Sequence, residues 1–373
     1  MVINNNFCYI IMSLVKEYFS KLDEYSKKYN NTICILMQVG SFYEIYGLSD
    51  ADTIHHVTTL LNIQITKKNK NISEISINNP YLAGFPVSAL GKYLPILLNN
   101  NYCVIVIEQI QTNKTIERRV AGVYSPSIRP IDSFSVNEDN MLVSILIEVN
   151  RDVTAPGVLH LDYAINIINF NTNTFVIHAS TNKIPLFSNE YALSHIATML
   201  NEYSTANEYI FLIKNNINID LPGYLDETNV VNYLQIDKQY HWIIIEEYEK
   251  NYTDIHFQNL YLQELYAHTN FGLLTPIEYF QLEFNPIIAI NIMYTIEFIK
   301  KYNPLYIKYI REPRYYLSTQ NILHVDFTTL QQLSVFRTIK NGNRGRGFSL
   351  ITSLHTNIFT IIAIGAGGGS WQL

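Results

Sequence analysis

The sequence predicts an α/β fold of two or three domains whose last part is helical. Short apolar runs rich in β-branched residues, such as residues 33–37 and 103–107, predict buried strands, and segments of helical periodicity separate them. From Tyr261 onward apolar residues recur at helical spacing, most clearly over residues 286–302. The length of 373 residues is typical of two or three domains.

Charge and cysteine content exclude several classes of protein. The formal net charge of −6 means that the chain as a whole is not a polybasic nucleic-acid binder, so any contact with DNA must come from local patches. Cys8, Cys34 and Cys103 have neither paired nor metal-type spacing, which indicates thiols in a reducing, intracellular compartment. No run approaches the about 20 apolar residues of a membrane-spanning helix, and residues 7–15 lack the basic leader of a signal peptide.

The stretch from Val39 to Gly47 has the sequence V-G-S-F-Y-E-I-Y-G and directly follows the first predicted strand. Gly40 permits a turn, and in the strand after it Phe42 and Glu44 project from the same side because side chains alternate. A flat apolar ring beside a hydrogen-bonding acid is suited to probing a base pair, since the ring can enter a stack while the acid tests a base edge. The alternative is a core Phe beside a solvated Glu.

A basic turn over residues 66–70 is the second feature of interest. Its lysines include Lys67 and Lys68, which can neutralise phosphates and so add affinity that depends on salt but not on base sequence. On composition alone, a solvated loop explains the same residues.

The third feature is a predicted turn formed by Gly84, Phe85 and Pro86. Gly permits close backbone approach, for instance by a ligand, and Pro gives the turn stiffness. The same turn can instead simply begin the helix that is predicted over residues 88–100.

The remaining elements are predicted by the same criteria. Helices are expected over residues 10–30, 49–61 (capped by Ser49 or Asp50) and 189–203, and strands over residues 142–149, 158–168, 175–179 and 209–213, with another beginning at Glu117. Residues 125–138, rich in Ser, Pro and Asn, predict a linker. Asp162 is a candidate nuclease ligand without acidic partners at the expected positions, so no metal site is predicted.

Residues 39–47 resemble the G-D-F-Y-E-L-F signature of the mismatch-recognition domain of MutS proteins, and further matches follow in the family's order. Residues 60–68 resemble L-L-D-I-x-L-T-K-R, residues 83–89 resemble A-G-I-P-Y-H-A, residues 104–110 resemble V-A-I-C-E-Q-I, and residues 117–127 resemble E-R-K-V and V-T-P-G. Residues 157–162 resemble the family's G-x-A-x-x-D more weakly, and residues 321–333 resemble its M-x-L-D-x-x-T-x-x-N-L-E-I.

The resemblance implies the N-terminal portion of a MutS protein. It implies a small mixed-sheet α/β mismatch-recognition domain, a ribonuclease-H-like connector domain and the beginning of an all-helical lever domain. The expected boundaries are residues 1–125, 140–260 and 261–365 for the three domains, with a linker at 126–139 and a tail of different composition at 366–373.

The function implied by the resemblance is binding of mismatched or unpaired bases in duplex DNA, by insertion of Phe42 with Glu44 bonding the displaced base. The residues expected to hold the DNA backbone are Lys67, Lys68, Gly84, Phe85 and Pro86. The implied partners are double-stranded DNA with mismatches or small loops, another MutS-like chain and downstream repair proteins. ATP and Mg are cofactors of the full-length family, but the chain has no G-x-x-x-x-G-K-[ST] loop, so neither a cofactor nor enzymatic activity is expected of it.

Two departures from the family pattern keep other functions open. Ser41 replaces the usual Asp, which removes a charge near the expected DNA and leaves open how the turn before Phe42 is fixed. The tail at 366–373 replaces a long helix, which predicts a frameshift or premature stop before the clamp and the ATPase. The alternatives are therefore a partner-binding module acting through the connector-like domain, or an inactive truncated gene product.

Overall fold

The computed structural model describes residues 5–29, 32–49, 52–111, 116–130, 140–151, 159–180, 184–185, 189–201, 206–216 and 225–316. Within them it confirms the predicted α/β class, with two mixed sheets and several helices. The segments that resemble the lever domain, the Gly- and Arg-rich residues 342–347 and the tail at 366–373 lie outside the described residues.

The first sheet has the strand order β3-β4-β2-β1-β5-β6 over the described residues. In chain order its strands are β1 (Ile33–Val39), β2 (Phe42–Gly47), β3 (Thr66–Lys67), β4 (Tyr81–Pro86), β5 (Cys103–Gln111) and β6 (Ile116–Tyr124). The apolar runs predicted as strands, residues 33–37 and 103–107, form the parallel centre of the sheet, where both faces are covered. This pairing explains why those two runs are continuously hydrophobic.

Three helices cover the first sheet, namely α1 (Asn5–Tyr29), α2 (Thr53–Leu61) and α3 (Leu90–Asn99). On one face Tyr18 of α1 meets the ring of Tyr46 at 5.1 Å, and on the other face Tyr93 of α3 meets the ring of Phe85 at 4.6 Å. The sheet is therefore sandwiched, which fixes the direction in which each β2 side chain points.

The start of α2 differs from the expected Ser49 or Asp50 cap. The N-cap position is Asp52, whose carboxylate accepts hydrogen bonds from the backbone of Leu48 and Ser49 and makes none to the first turn of the helix. Asp50 lies outside the described residues. The Asp52 carboxylate therefore stabilises the turn that precedes α2 and does not cap the helix.

The second sheet has the strand order β12-β11-β7-β8-β9-β13, with β10 also paired to β8. Its strands are β7 (Met141–Arg151), β8 (Leu159–Asn169), β9 (Thr174–Ala179), β10 (Ile184–Pro185), β11 (Glu208–Asn215), β12 (Gln239–Ile245) and β13 (Pro313–Tyr315). The antiparallel series β7-β8-β9 is the predicted strand–turn–strand unit, and β11 and β12 run parallel to β7. The assignment of this unit to a connector domain stays a prediction.

The helices after the first domain are α4 (Asn189–Asn201), α5 (Glu227–Tyr233), α6 (Ile255–Leu265), α7 (Pro276–Tyr279) and α8 (Pro286–Tyr302). One apolar core extends from the first sheet through α8 to one face of the second sheet, and a second core lies on the opposite face beneath α4 and α5. None of the helices in the described ranges is both long and apolar enough to cross a membrane.

The expected domain boundary at residue 261 does not mark an end of packing. Asn291 of α8 donates to the backbone oxygens of Ser144 at 3.2 Å and Ala164 at 3.1 Å, and β13 pairs with β9 as a further strand of the second sheet. Helical periodicity identified α8 correctly but could not show what the helix packs against. Residues 286–315 thus belong with the second sheet.

The expected linker at 126–139 begins with a buried segment. Residues 125–129 are buried, and the hydroxyls of Ser125 and Ser127 each donate to Glu208 of β11 at 2.5 Å. The remainder of the linker, residues 131–139, lies outside the described ranges. Composition predicts the absence of helix and strand in this segment but not its burial, which depends on Glu208, about eighty residues further along the chain.

Candidate nucleic-acid interface

Phe42 stands at the tip of the β1–β2 hairpin. Val39 pairs directly with Phe42, so the two strands are joined by the two residues Gly40 and Ser41. Gly40 has φ +61° and Ser41 does not have a positive φ, which is the pattern of a type II′ turn with glycine at its first central position. The glycine is therefore required by the backbone of the turn.

Alternation along β2 puts Phe42 and Tyr43 in opposite environments, as predicted. The side chain of Phe42 is 46 % exposed, whereas Tyr43 is 1 % exposed and packs toward Phe85. A large apolar ring left exposed at the end of a rigid hairpin is available for a partner. The sequence could not distinguish this arrangement from a core phenylalanine.

Two glutamine side chains brace the turn before Phe42. The backbone N–H of Gly40 donates to Oε1 of Gln109 at 3.0 Å, and Nε2 of Gln38 donates to the Gly40 oxygen at 3.0 Å. The backbone N–H of Gln109 in turn donates to Oε1 of Gln38 at 3.0 Å, which closes the network. These contacts, with the backbone bond from Val87 to Ser41, fix the turn without an aspartate.

Sequence reasoning missed both glutamines. Gln109 lies within the segment that resembles V-A-I-C-E-Q-I, but its role in the turn depends on the pairing of β5 with β1, which the sequence does not show. Gln38 carries no sequence signal, because it is a single polar residue at the end of the apolar strand β1.

Glu44 is partly buried and faces the same side of β2 as Phe42. Its carboxylate accepts a hydrogen bond from the hydroxyl of Tyr46. Burial raises the pKa of Glu44 above its usual value, and this effect is opposed by the Tyr46 hydrogen bond and by the positive charges of Arg118 and Lys68. The carboxyl group can therefore take up a proton more readily than an exposed glutamate.

The two lysines of the basic turn differ in what they contact. Nζ of Lys67 donates to the backbone oxygen of Ser73 at 2.9 Å, while Lys68 contributes its charge near Glu44. The loop that follows is held by the buried Asn79, which accepts from the backbone of Asn69 at 2.7 Å. The turn is thus a defined edge of the sheet beside β4.

The segment predicted as a turn, Gly84 to Pro86, is instead the end of strand β4 in the interior of the sheet. Gly84 pairs with Glu44, and a Cβ atom added at Gly84 would lie 2.6 Å from the backbone oxygen of Tyr43. The close approach predicted for this glycine is therefore made by the neighbouring strand. The prediction of a turn at residues 84–86 was wrong, because the sequence Gly-Phe-Pro is equally compatible with the end of a strand.

Phe85 and Pro86 have opposite exposures. Phe85 is 2 % exposed and packs between Tyr43 and Tyr93, so its side chain supports the sheet and does not reach the surface. Pro86 is exposed and pairs with Phe42, which places it beside the hairpin tip. The side chain of Phe85 is therefore not available to contact DNA, contrary to the expectation, because strand alternation turns the ring inward.

The structure therefore brings together Phe42, Glu44, Gly84 and Pro86 on two neighbouring strands, with Lys68 near enough to influence Glu44. Arg118 lies on β6, at the opposite edge of the sheet from β3, and its guanidinium lies 3.4 Å from the carboxylate of Glu17 on α1. Such a surface offers an apolar ring, a hydrogen-bonding acid and flanking positive charge.

Asp162, the candidate nuclease ligand, has one acidic neighbour in the structure. Glu148 lies directly opposite Asp162 across β7 and β8, a neighbour that sequence order had hidden. His160 lies 3.2 Å from Asp162, and His178 contacts the hydroxyl of Tyr163 at 3.2 Å. Over the ranges that the structure describes, no cluster of three or more His, Cys, Asp or Glu side chains could hold a metal ion.

Comparison with known proteins gives a family match to the part of the chain that carries this surface. Residues 17–129 match the model of MutS domain I, a range that contains all six strands of the first sheet. The Putative DNA mismatch repair protein mutS homolog L359 of Acanthamoeba polyphaga mimivirus is 27 % identical over 338 residues, which cover 85 % of this chain and 29 % of that protein.

Two cellular relatives match a shorter part. The DNA mismatch repair protein MutS of Methanosarcina barkeri is 34 % identical over 140 residues, covering 36 % of this chain and 14 % of that protein. The DNA mismatch repair protein MutS of Thermosipho melanesiensis is 31 % identical over 126 residues, covering 33 % and 14 % respectively. The chain thus spans less than a third of the length of the curated relatives it matches.

Proposed function

Because residues 17–129 match the model of MutS domain I, we propose that the chain belongs to the MutS family of DNA mismatch repair proteins and that its first domain senses mismatched or unpaired bases in duplex DNA. The observation that carries this proposal is the exposed ring of Phe42 at the tip of a hairpin braced by Gln38 and Gln109. Because this apolar ring is already held rigidly outside the core, it loses little conformational entropy when it enters a base stack.

Insertion of Phe42 discriminates because stacking has already been weakened at a mismatch. Unstacking a base step costs a few kcal/mol, and the cost is lower where pairing is already lost. If unstacking cost the same free energy at every step, insertion of the ring would not discriminate. The specificity therefore comes from the lower cost of unstacking at a mispaired step.

Glu44 would bond the base that Phe42 displaces. The two side chains share one face of β2, and the carboxyl has a pKa that burial raises. Nearby phosphates would raise the pKa further, because negative neighbours disfavour the ionised carboxylate. Glu44 can therefore act as an acceptor or, when protonated, as a donor.

Lys67, Lys68 and the backbone beside Gly84 and Pro86 would hold the DNA backbone next to the wedge. Lys68 supplies positive charge at this edge, and Lys67 can exchange its contact with the Ser73 oxygen for a phosphate. Phe85 would contribute only by supporting the sheet.

This role is one of binding and needs no catalytic residue in the chain. ATP and Mg, another MutS-like chain and downstream repair proteins would take part as they do in the full-length family. The buried thiols of Cys34 and Cys103 support a reducing compartment for the protein.

The test compares binding of the chain to heteroduplexes with a single mismatch or unpaired base and to the fully paired duplex. Phe42→Ala should lower the preference for heteroduplex about tenfold, which corresponds to about 1.4 kcal/mol. Phe284→Ala is the matched control, because that ring is 75 % exposed but lies far along the chain after α7. Equal binding of both duplexes by the wild-type chain, or an unchanged preference in Phe42→Ala, would reject the proposal.

One observation favours a second candidate, a module that binds other repair proteins. Strand β12 is the edge of the second sheet, and Ile244 on it is 65 % exposed. An exposed apolar edge strand can pair with an extended segment of a partner. Heteroduplex binding that is insensitive to Phe42→Ala, with partner binding abolished by Ile244→Lys, would favour this role.

A further inference from the structure

The hydroxyl of Tyr46 is the nearest hydrogen-bond donor that the structure gives to the proposed base-reading acid. Phe42, Glu44 and Tyr46 alternate along β2 and share one face, and the Tyr46 hydroxyl donates to Oε2 of Glu44. The donor and the acid are only two residues apart, so their contact depends on one strand and not on a flexible loop.

The ring of Tyr46 is held in place by the core. It is 5 % exposed and packs edge-to-face against Tyr18 of α1, with ring centroids 5.1 Å apart and planes at 73°. The hydroxyl of Tyr18 in turn donates to the backbone oxygen of Ile35 at 3.4 Å. Tyr46 therefore presents its hydroxyl from a fixed position, whereas Glu44 has rotatable bonds.

The charged groups that face Glu44 come from three other elements. Lys68 directly follows β3 and Arg118 lies on β6, and both favour the ionised carboxylate. Glu17 of α1 is paired with Arg118 at 3.4 Å and so draws off part of that positive charge. Burial of Glu44 acts in the opposite direction, so the hydrogen bond from Tyr46 is one of the few contacts that keep the carboxylate ionised.

We propose that Tyr46 is a positioning residue that engages Oε2 of Glu44, keeps the acid a hydrogen-bond acceptor and leaves Oε1 to read the displaced base. This inference rests on the proposed mismatch-sensing function and adds to it a basis for base preference. The signature G-D-F-Y-E-L-F has Phe where this chain has Tyr46, so the hydroxyl is not part of the motif that identified the site.

The consequence concerns which unpaired base is favoured. An ionised carboxylate only accepts hydrogen bonds, whereas a protonated one can also donate. The ring N–H of thymine or guanine is a donor that matches an acceptor, while the corresponding ring nitrogen of adenine or cytosine is an acceptor and is repelled. Tyr46 should therefore favour an unpaired thymine over an unpaired adenine.

The coupling between the two side chains can be tested without DNA. The pKa of Glu44 is measured by carbon NMR of labelled glutamate side chains, with its signal identified by its loss in Glu44→Gln. Tyr46→Phe should raise that pKa, because it removes a donor that stabilises the ionised form. Tyr43→Phe removes one hydroxyl from the opposite face of the same strand and should leave it unchanged. An unaltered pKa in Tyr46→Phe would overturn the proposal.

The effect on base preference is tested with duplexes that carry one unpaired thymine or one unpaired adenine, from mildly acidic to neutral pH. Tyr46→Phe should reduce the thymine preference severalfold and make adenine binding rise as the pH falls. In the Glu44→Gln background the same substitution should have no further effect on base preference, because Tyr46 acts through the carboxylate that Gln lacks. An equal loss in that background, or on fully paired duplex, would show a merely structural role and overturn the proposal.

These outcomes separate the inference from the function on which it rests. If the wild-type chain fails to distinguish heteroduplex from paired duplex, mismatch sensing is rejected. The NMR titration still decides whether Tyr46 controls the charge of Glu44.

Discussion

Nε2 of His241 lies 2.8 Å from Oε1 of Glu208, a carboxylate whose side chain is wholly buried. Ser125 and Ser127 donate to its other oxygen, so Glu208 connects the end of the first sheet to β11 and β12. Burial alone would raise the pKa of Glu208, but the hydrogen bonds and charge of His241 and the two serines outweigh it and leave the pKa lowered. This carboxylate is a buried polar link between the two sheets.

Removing that link should destabilise the protein strongly. We expect Glu208→Ala to cost about 3–5 kcal/mol in the free energy of unfolding, because it leaves buried partners unpaired. Denaturant titration followed by Trp fluorescence measures it, and Glu247→Ala, at an exposed position beyond the far end of β12, serves as the control. A cost no larger than that of the control would contradict the role of Glu208.

Glu208 should also set part of the acid sensitivity. Since its folded-state pKa is lowered, it contributes stability above the pKa of an unfolded glutamate, and this contribution is lost as pH falls through the lowered value. Glu208→Gln should therefore be less stable than wild type at neutral pH but show a shallower decline on acidification. Parallel stability–pH curves for the two proteins would be evidence against this linkage.

The two phenylalanines of the site should separate binding from folding. Phe85→Ala removes a core ring and should cost about 3–5 kcal/mol of stability. Phe42→Ala removes a half-exposed ring and should change stability by less than about 1 kcal/mol. Thermal and denaturant unfolding measure both, and similar losses would mean that Phe42 is a core residue.

Two glycines should respond oppositely to alanine. Gly84→Ala should destabilise, because the added Cβ would meet the backbone oxygen of Tyr43 at 2.6 Å and push β4 away from β2. Gly91→Ala should stabilise by about 0.5–1 kcal/mol, since that position is in α3 and has open space around it. If the Gly84 variant is as stable as wild type, the close strand approach is not required.

The attachment of α8 to the second sheet is testable through Asn291. Asn291→Ala should cost about 1–3 kcal/mol, because the hydroxyl of Ser144, which donates to the amide at 2.7 Å, loses its buried acceptor. Calorimetry should show the unfolding transition of the second sheet and of α8 shift together. A shift confined to a separate helical transition would restore a domain boundary near residue 261.

Lys68 should contribute to DNA affinity through charge. Lys68→Ala should weaken binding to paired and mismatched duplex by the same factor and reduce the salt slope by about one unit. Lys27→Ala is a suitable control, since that lysine pairs with Asp23 on the exposed side of α1. A change in mismatch preference without a change in salt dependence would assign Lys68 a different role.

The sequence predicted local structure well where one signal dominated. The β-branched runs at 33–37 and 103–107 are strands, and the spacing over residues 286–302 is α8 as predicted. It did not decide the outcome where local chemistry suits two structures. The G-F-P segment, predicted as a turn, is a strand end in the sheet, and the burial of the Ser- and Pro-rich residues 125–129 was not predicted. In both cases the deciding partner lies far away in the chain.

By itself, the sequence determined the α/β class, the order of most elements and the resemblance of residues 17–129 to MutS domain I, because periodicity and motif order are local properties of the chain. Only the tertiary structure decided that Phe42 is exposed while Phe85 is buried, and that Tyr46 rather than another donor meets Glu44. Exposure and hydrogen-bond partners depend on which strands become neighbours, and β4 reaches β2 only after more than thirty residues of intervening chain.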